Sequence, residues 1–502
     1  MRIACLILVP ALLVAPAIGQ ITLWQDFDSG SLNVPSTTFA GNTINLVGRR
    51  TWTASAYSSY YRWVYFKASG VQGAQPVFSL PTSSFLGSYT NHKYVYSYDR
   101  QNWSFFDNAS IASGRYNFSN SLPFTQDDVY IAYGLPYPVS RTSALVAEVA
   151  PSPFTHSTAS SNRQFVIGQT APGIDDSGRS VPPIDLYGYR IGDDGFAASK
   201  KKVVLAAGNH SAETPGDFVF EGFVRFLLSS DPRAAGLRRS ADFYVYPQVN
   251  PAGRYAGYYR SNPENPSKDF NRFWNNPAGF TDLTQLSTAM RTDTGGDVDQ
   301  LFDFHAWWGP WTGNNFINVT SALASHPFFA NLADYEPAIE VAPSAGEPGM
   351  LRIWGSSAAG LSADFAVTPE FGFFPNVGED RLLQYGRSFA LALYDTIPIF
   401  VLPGDFDNDG VVNISDFSIL AGHFGTPVSG VQFGDANGDG FVDIADFSLM
   451  AAYWMSGTGA RQPSLAAVPE PGLAAPLVAI VLAGRRQRGG PRTSGCAGRR
   501  LV

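Results

Sequence analysis

Two histidines and a glutamate carry the strongest chemistry in this 502-residue chain. His210 and Glu213 stand three positions apart in Gly208-Asn-His-Ser-Ala-Glu213, and His305 ends the apolar run Leu301-Phe-Asp-Phe-His305. A neutral imidazole and a carboxylate this close can reach one cation if the loop turns them the same way, and zinc accepts both donors. Asp303, two residues before His305, is a candidate partner for that imidazole. Between these points lie Asn250-Pro-Ala-Gly-Arg-Tyr-Ala-Gly257-Tyr-Tyr259-Arg260 and Asp269-Phe-Asn271-Arg272-Phe-Trp274. A metal site that cleaves an acyl bond needs cationic donors for the developing oxyanion. The planar fork of arginine suits a substrate carboxylate. Glu370, in Phe365-Ala-Val-Thr-Pro-Glu370, follows another apolar run and is a candidate general base for the attacking water.

The elements that must position these groups read as an α/β domain over 156–402. Strand-like runs at Ile184–Tyr189, Val203–Ala207, Ala241–Tyr246 and Asp299–Phe304 alternate with helical spacing after Asp217, a plausible N-cap, and around Asp380–Leu393. His210 and His305 both end strands, the edge at which ligands bind in open α/β sheets. Residues 20–155 read instead as an antiparallel β-sandwich. Short aromatic and β-branched runs alternate there with Gly, Ser, Asn and Asp, and no useful helical period appears. His92 and His156 read as surface or hydrogen-bonded residues, His326 as a helix-boundary residue and His423 as an exposed helical one. Composition narrows the function. A net charge of -8 argues against nucleic acid as the main partner. Cys5 and Cys496, at the extreme ends, leave the body without disulfide or thiolate chemistry.

The ordered set His-x-x-Glu, Asn-Pro-x-Gly, Arg, Asp-x-Asn-Arg-x-Trp, strand-end His and Thr-x-Glu resembles the zinc metallocarboxypeptidases. Tyr96-Ser-Tyr-Asp99, Trp103 and Ala132-Tyr-Gly-Leu-Pro-Tyr137 resemble the β domain of the cytosolic-carboxypeptidase-like branch. The resemblance implies one catalytic zinc on His210, Glu213 and His305. It further implies that Arg260 polarises the scissile carbonyl, that Asn271 and Arg272 grip the terminal carboxylate, and that Glu370 acts as general base. The implied substrate is a peptide or protein with a free C-terminus. A zinc amidase or deacylase of the same fold, and a non-catalytic peptide or carbohydrate binder, are the competing readings. Departures are Ala212 where many pancreatic-type members have a second arginine, Phe270 for the usual leucine and Lys268 for the usual glycine. Residues 342–362 also lack any tyrosine that could cap the substrate.

Residues 403–455 carry a duplicated loop. Gly404-Asp-Phe-Asp-Asn-Asp-Gly410-Val-Val-Asn-Ile-Ser-Asp416 recurs as Gly434-Asp-Ala-Asn-Gly-Asp-Gly440-Phe-Val-Asp-Ile-Ala-Asp446. Oxygen ligands fall at the spacing that surrounds calcium, with glycine at the sharp turn. The candidate ligands are Asp405, Asp407, Asp409, the Val411 carbonyl, Asn413 and Asp416, then Asp435, Asn437, Asp439, the Phe441 carbonyl, Asp443 and Asp446. Each loop leads into one helix, read as Phe417–Phe424 and Phe447–Trp454. The pair resembles a type I dockerin, which implies two structural calcium ions and a cohesin-type partner.

The ends read as address signals. Arg2, an apolar run from Ile3 to Val14 and Ala17-Ile18-Gly19 have the form of a secretory signal over 1–19. After a small, polar linker at 456–467, residues 468–502 hold Val468-Pro-Glu-Pro471, an apolar run Leu473–Ala483 and Arg485, Arg486 and Arg488. That order resembles a bacterial C-terminal sorting signal, which implies transient membrane association and an exported, extracellular or envelope-associated protein. The whole chain thus reads as multidomain: β-sandwich, carboxypeptidase-like α/β sheet with flanking helices, and small α dockerin.

Overall fold

The computed structural model describes residues 21–49, 63–82, 92–195, 200–307, 315–373, 376–399, 402–407, 410–428 and 430–455. The expected leader, linker and sorting segment, together with Asp409, lie outside these residues. The chain forms two compact units, the first holding the N-terminal sheets and the metal-ligand region, the second the C-terminal helices.

In the first unit, two five-stranded sheets carry the aromatic N-terminal region. One runs in the order Thr22–Trp24, Tyr65–Ser69, Asp128–Ala132, Val95–Ser97, Ser104–Phe105. The other runs Thr38–Ala40, Thr43–Asn45, Val77–Pro81, Arg115–Ser119, Asn108–Ala112. Pairing is antiparallel except between Thr43–Asn45 and Val77–Pro81. Alternation places Phe66, Phe78, Phe118, Val129 and Ile131 in one buried core. That core continues into Ala212, Tyr259, Ala306 and Phe373. The first three of these residues are near His210, Arg260 and His305 in sequence, so the N-terminal sheets share a core with the elements that carry the metal-ligand region.

The region expected to be all β also holds a helix, Val139–Val149. Its N-terminal N–H groups are capped from far along the chain: Asp28 accepts from Val139 at 3.2 Å and from Ser140 at 2.9 Å. A cap this remote leaves no local sequence signal.

The chemical region is an eight-stranded mixed sheet. Its order is Thr155–Ser157, Tyr189–Ile191, Ala241–Tyr246, Lys201–Ala207, Gln300–Trp307, Phe365–Gly372, Phe316–Val319, Glu340–Pro343. The four central strands, from Ala241–Tyr246 to Phe365–Gly372, are parallel. Parallel strands are covered on both faces, which is why Val203–Ala207 and all of Gln300–Trp307 are buried. The run expected as one strand over Ile184–Tyr189 is divided. Asp185–Tyr187 pairs with Val166–Gln169, while Tyr189–Ile191 joins the main sheet. Between them the Gly188 N–H donates to the Phe165 carbonyl.

Two helices, Thr214–Leu227 and Glu379–Tyr394, cover one face and touch through glycines. A Cβ on Gly222 would fall on the Leu383 backbone, and one on Gly386 would fall on the backbone of Val219. The first helix starts at Thr214, earlier than expected. Pro215 opens its first turn, and Asp217 lies inside the helix, ion-paired with Arg254 at 2.5 Å.

The second unit holds the helices Ile414–His423 and Ile444–Ala452, each starting three residues before its expected start. Asn413 and Asp443 occupy the N-cap positions, and Asp416 and Asp446 close reciprocal capping boxes. The cap bonds draw Ile414 and Ile444 into the helices. Among the described residues no helix is long and apolar enough to cross a membrane.

Candidate active site

Three chain segments meet at the C-terminal ends of the central strands. After Ala207 the chain turns at Gly208, whose φ of +73° is left-handed backbone that suits glycine. The turn buries His210 and Glu213 beside His305 on the neighbouring strand. His210 Nδ1 lies 3.0 Å from Glu213 Oε1, and His305 Nδ1 lies 2.8 Å from Glu213 Oε2. One donor atom from each residue lies within 4.8 Å of the other two. Nitrogen and carboxylate donors facing one another at this separation call for a cation among them, and two histidines with one glutamate are a zinc set.

The far nitrogens are held as well. His210 Nε2 meets Asp269 Oδ1 at 3.0 Å, and His305 Nε2 meets Asp303 Oδ2 at 3.1 Å. With a metal on the Nδ1 side, an acceptor on each Nε2 holds the remaining ring proton there. Asp269 supports the site directly, a role the sequence reading did not assign it. Its place two residues before Asn271, in a run already singled out, was the available signal. Asp303 shares a side of its strand with His305.

The cationic groups converge on the same place. Arg260 Nε donates to Asp269 at 2.8 Å, and its Nη1 reaches Glu213 at 3.4 Å and the Tyr259 hydroxyl at 3.1 Å. Asn271 accepts the Leu351 N–H at 2.8 Å through Oδ1, and its Nδ2 lies 3.4 Å from His305 Nε2. Arg272 is tied to its neighbour's carbonyl at 2.8 Å and to Glu347 at 2.9 Å. Glu370 is the register partner of His305 on the adjacent parallel strand and accepts from Asn318 at 3.3 Å.

Electrostatics separates the carboxylates. Burial opposes ionisation of Glu213, but His210 and His305 overcome it and hold the carboxyl well below its usual range. Burial likewise opposes ionisation of Asp269, and Arg260 with His210 reverses it. Burial dominates at Glu370, where Glu213 adds its repulsion, and the carboxyl is pushed up to about 8. One carboxylate is thus kept as an anion for a cation, and another is poised to carry a proton near neutral pH.

In the second unit, Asp405, Asp407 and Asp416 bring carboxylate oxygens within 4.8 Å of one another. Asp405 takes the Gly410 N–H at 3.0 Å, and Asp435 takes the matching Gly440 N–H at 2.9 Å. The first aspartate and the glycine of the two loops are therefore paired alike. Asn437 and Asp443 are turned onto local N–H groups as well, through Asp439 and Ala445 at 2.8 and 2.7 Å.

Comparison with known proteins agrees with this geometry. Residues 173–325 match the zinc carboxypeptidase family, 23–133 the cytosolic carboxypeptidase N-terminal domain, and 403–455 the dockerin type I domain. A 97-residue stretch is 37% identical to cytosolic carboxypeptidase 6 of Caenorhabditis elegans, covering 19% of this chain and 21% of that one. The mouse protein of the same name is 29% identical over 204 residues, 38% of this chain and 35% of the relative. The matched stretches thus span well under two thirds of these relatives. The metallo-carboxypeptidase from Burkholderia cenocepacia shares the fold with a TM-score of 0.61 at 19% identity, over 75% of this chain and 98% of that one. The metallo-carboxypeptidase from Pseudomonas aeruginosa, solved with (2-guanidinoethylmercapto)succinic acid, gives 0.56 at 20% identity over 74% and 98%. The chain therefore carries a zinc-carboxypeptidase domain, with the zinc-binding triad His210, Glu213 and His305, and a separate dockerin-type domain.

Proposed function

We propose that this protein is an exported zinc carboxypeptidase of the cytosolic-carboxypeptidase-like branch, releasing the C-terminal residue of peptides or proteins. The observation that carries the reading is the meeting of the buried triad with Arg260, Asn271 and Glu370 at one sheet edge. Zinc held by His210, Glu213 and His305 would supply a Lewis acid and lower the pKa of water. Glu370 takes a proton from the attacking water and delivers it to the leaving amine. Arg260 donates to the oxygen on which charge develops. Asn271 and Arg272 hold the terminal carboxylate.

Arg352 indicates which terminal residue fits. It is 2% exposed, its Nη2 donates to the Ser344 carbonyl at 3.2 Å, and its Nε and Nη1 have no partner among the described residues. It lies on the helix Leu351–Ser356, whose first N–H is held by Asn271. A buried guanidinium with free donors beside the carboxylate grip favours an acidic terminal side chain.

The dockerin-type unit binds two calcium ions through Asp405, Asp407, Asp409, Val411, Asn413 and Asp416, and through Asp435, Asn437, Asp439, Phe441, Asp443 and Asp446. It tethers the enzyme to a cohesin-type partner. The leader directs export, and the C-terminal segment holds the chain briefly at the membrane.

The test measures zinc content and hydrolysis of blocked dipeptides with acidic, basic and apolar ends, in the full chain with calcium present. One zinc per chain is expected, with turnover cut about 10²–10⁴-fold in Glu370→Gln while zinc is retained. Arg352→Gln should lose the acidic preference. Zinc without turnover on any peptide would move the reading to an amidase or a binder. A folded chain that takes up no zinc would overturn the site.

A further inference from the structure

The two zinc-triad histidines are braced differently. Asp269, behind His210, receives an arginine, Arg260 Nε, at 2.8 Å and the Asn271 N–H at 3.0 Å. Asp303, behind His305, is fully buried and forms no ion pair with an arginine or lysine among the described residues. Besides the His305 ring, its donor is the Asn209 side chain, whose Nδ2 lies 3.2 Å from Oδ1 and 3.3 Å from Oδ2. Asn209 is in turn fixed by Trp274, whose Nε1 lies 3.2 Å from Asn209 Oδ1. Asn209 is 0%, Trp274 1% and His305 2% exposed, so water does not substitute for these bonds.

The chemistry of the groups gives the chain one direction. An indole N–H only donates, so it must face the amide oxygen of Asn209. The amide nitrogen of Asn209 must then face Asp303. An ionised carboxylate only accepts, so Asp303 takes the proton of His305 Nε2, and Nδ1, on the side of Glu213, is the nitrogen left to a metal. The Asn271 amide nitrogen near His305 Nε2 then faces another N–H, which leaves its hydrogens free for a substrate carboxylate.

We propose that Asn209 is a positioning residue. Through the relay Trp274–Asn209–Asp303 it keeps Nδ1 of His305 open to the metal. Without its donor, Asp303 is a buried carboxylate held by the His305 ring alone, which lets it rotate away from Nε2 and leaves the ring of His305 unoriented.

The inference rests on the zinc reading of the triad, and the experiment separates the two. Zinc affinity of the full chain, with calcium present, is measured by competition with a chelator. The two histidine Nε2–H signals are followed in the zinc-loaded protein by ¹⁵N-resolved NMR. Asn209→Leu, close in size, should weaken zinc binding by about tenfold or more. It should also release the His305 Nε2–H to solvent exchange while the His210 Nε2–H, held by Asp269, persists. Trp274→Phe keeps the ring, removes only the indole N–H, and decides the matter should Asn209→Leu fail to fold. It should shift the same readouts in the same direction, by less. Zinc affinity within about twofold of wild type in the folded variants, with both Nε2–H signals intact, would overturn the relay. Equal loss at both histidines would also overturn it, because a general loosening of the site would act on both. A wild-type chain that binds no zinc would sink the metal reading and this proposal with it.

Discussion

Gly216 is where helix packing and metal geometry meet, and substituting it separates them. Gly216 lies in the first turn of Thr214–Leu227, three residues after Glu213, and packs on the backbone of His305. A Cβ there would lie 2.6 Å from the His305 carbonyl oxygen and 2.8 Å from both its carbonyl carbon and its amide nitrogen. Heavy atoms in contact rest about 3.5 Å apart, so Gly216→Ala must drive the helix start and the strand end apart by about 0.8 Å. Metal sites tolerate ligand shifts of only about 0.2 Å. Glu213 rides on the helix start and His305 on the strand, so the whole displacement falls between two members of the triad. Alanine improves helix propensity by about 1 kcal/mol, which offsets part of the strain. The expected result is therefore a folded protein whose zinc affinity drops by about tenfold or more, out of proportion to its loss of stability. Chelator competition gives the affinity and urea unfolding of the metal-free chain gives the stability. Gly222→Ala, on the same helix but against Leu383, is the control. It should destabilise the fold and leave zinc affinity in the folded protein nearly unchanged. Wild-type zinc affinity in Gly216→Ala, or equal losses of affinity in both variants, would refute the reasoning.

Three other perturbations have definite outcomes. Arg254→Met strands buried Asp217, whose carboxyl burial already pushes up to about 6, and removes the bond to the Tyr137 carbonyl. It should cost about 3–5 kcal/mol in urea unfolding, partly recovered in the double variant with Asp217→Leu. Burial raises the Asp282 carboxyl to about 7 from an unfolded value of 3.8. Its stabilising contribution is then complete below pH 4 and lost as pH rises through 7, worth about 4 kcal/mol across that window. Asp282→Asn should abolish that component, so that the variant gains on wild type between pH 5 and pH 8; an unchanged difference would refute it. Removing calcium with a chelator should unfold Ile414–His423 and Ile444–Ala452, seen as lost helical circular dichroism restored by calcium. Helicity that ignores calcium would count against metal in the loops.

What the sequence determined was local. Donor types at His210, Glu213 and His305, the strand-then-helix alternation around them and the duplicated acidic loops at Asp405 and Asp435 are all readable from spacing. Side-chain chemistry and backbone periodicity are properties of short windows. Tertiary structure decided the rest. The helix Val139–Val149 is capped by the distant Asp28, and it buries Thr142, Leu145, Val146 and Val149 at a helical spacing that is short beside the strand-like runs around it. Asp217 has the residue type of a cap, but Arg254 draws it into the helix interior, where an unpaired carboxylate would be costly. Asp269 meets His210 across 59 residues, Asn209 meets Asp303 across 94, and Glu370 faces His305 only through the register of two parallel strands. Such contacts exist only after a long loop has closed, and their strength comes from the burial that closure creates.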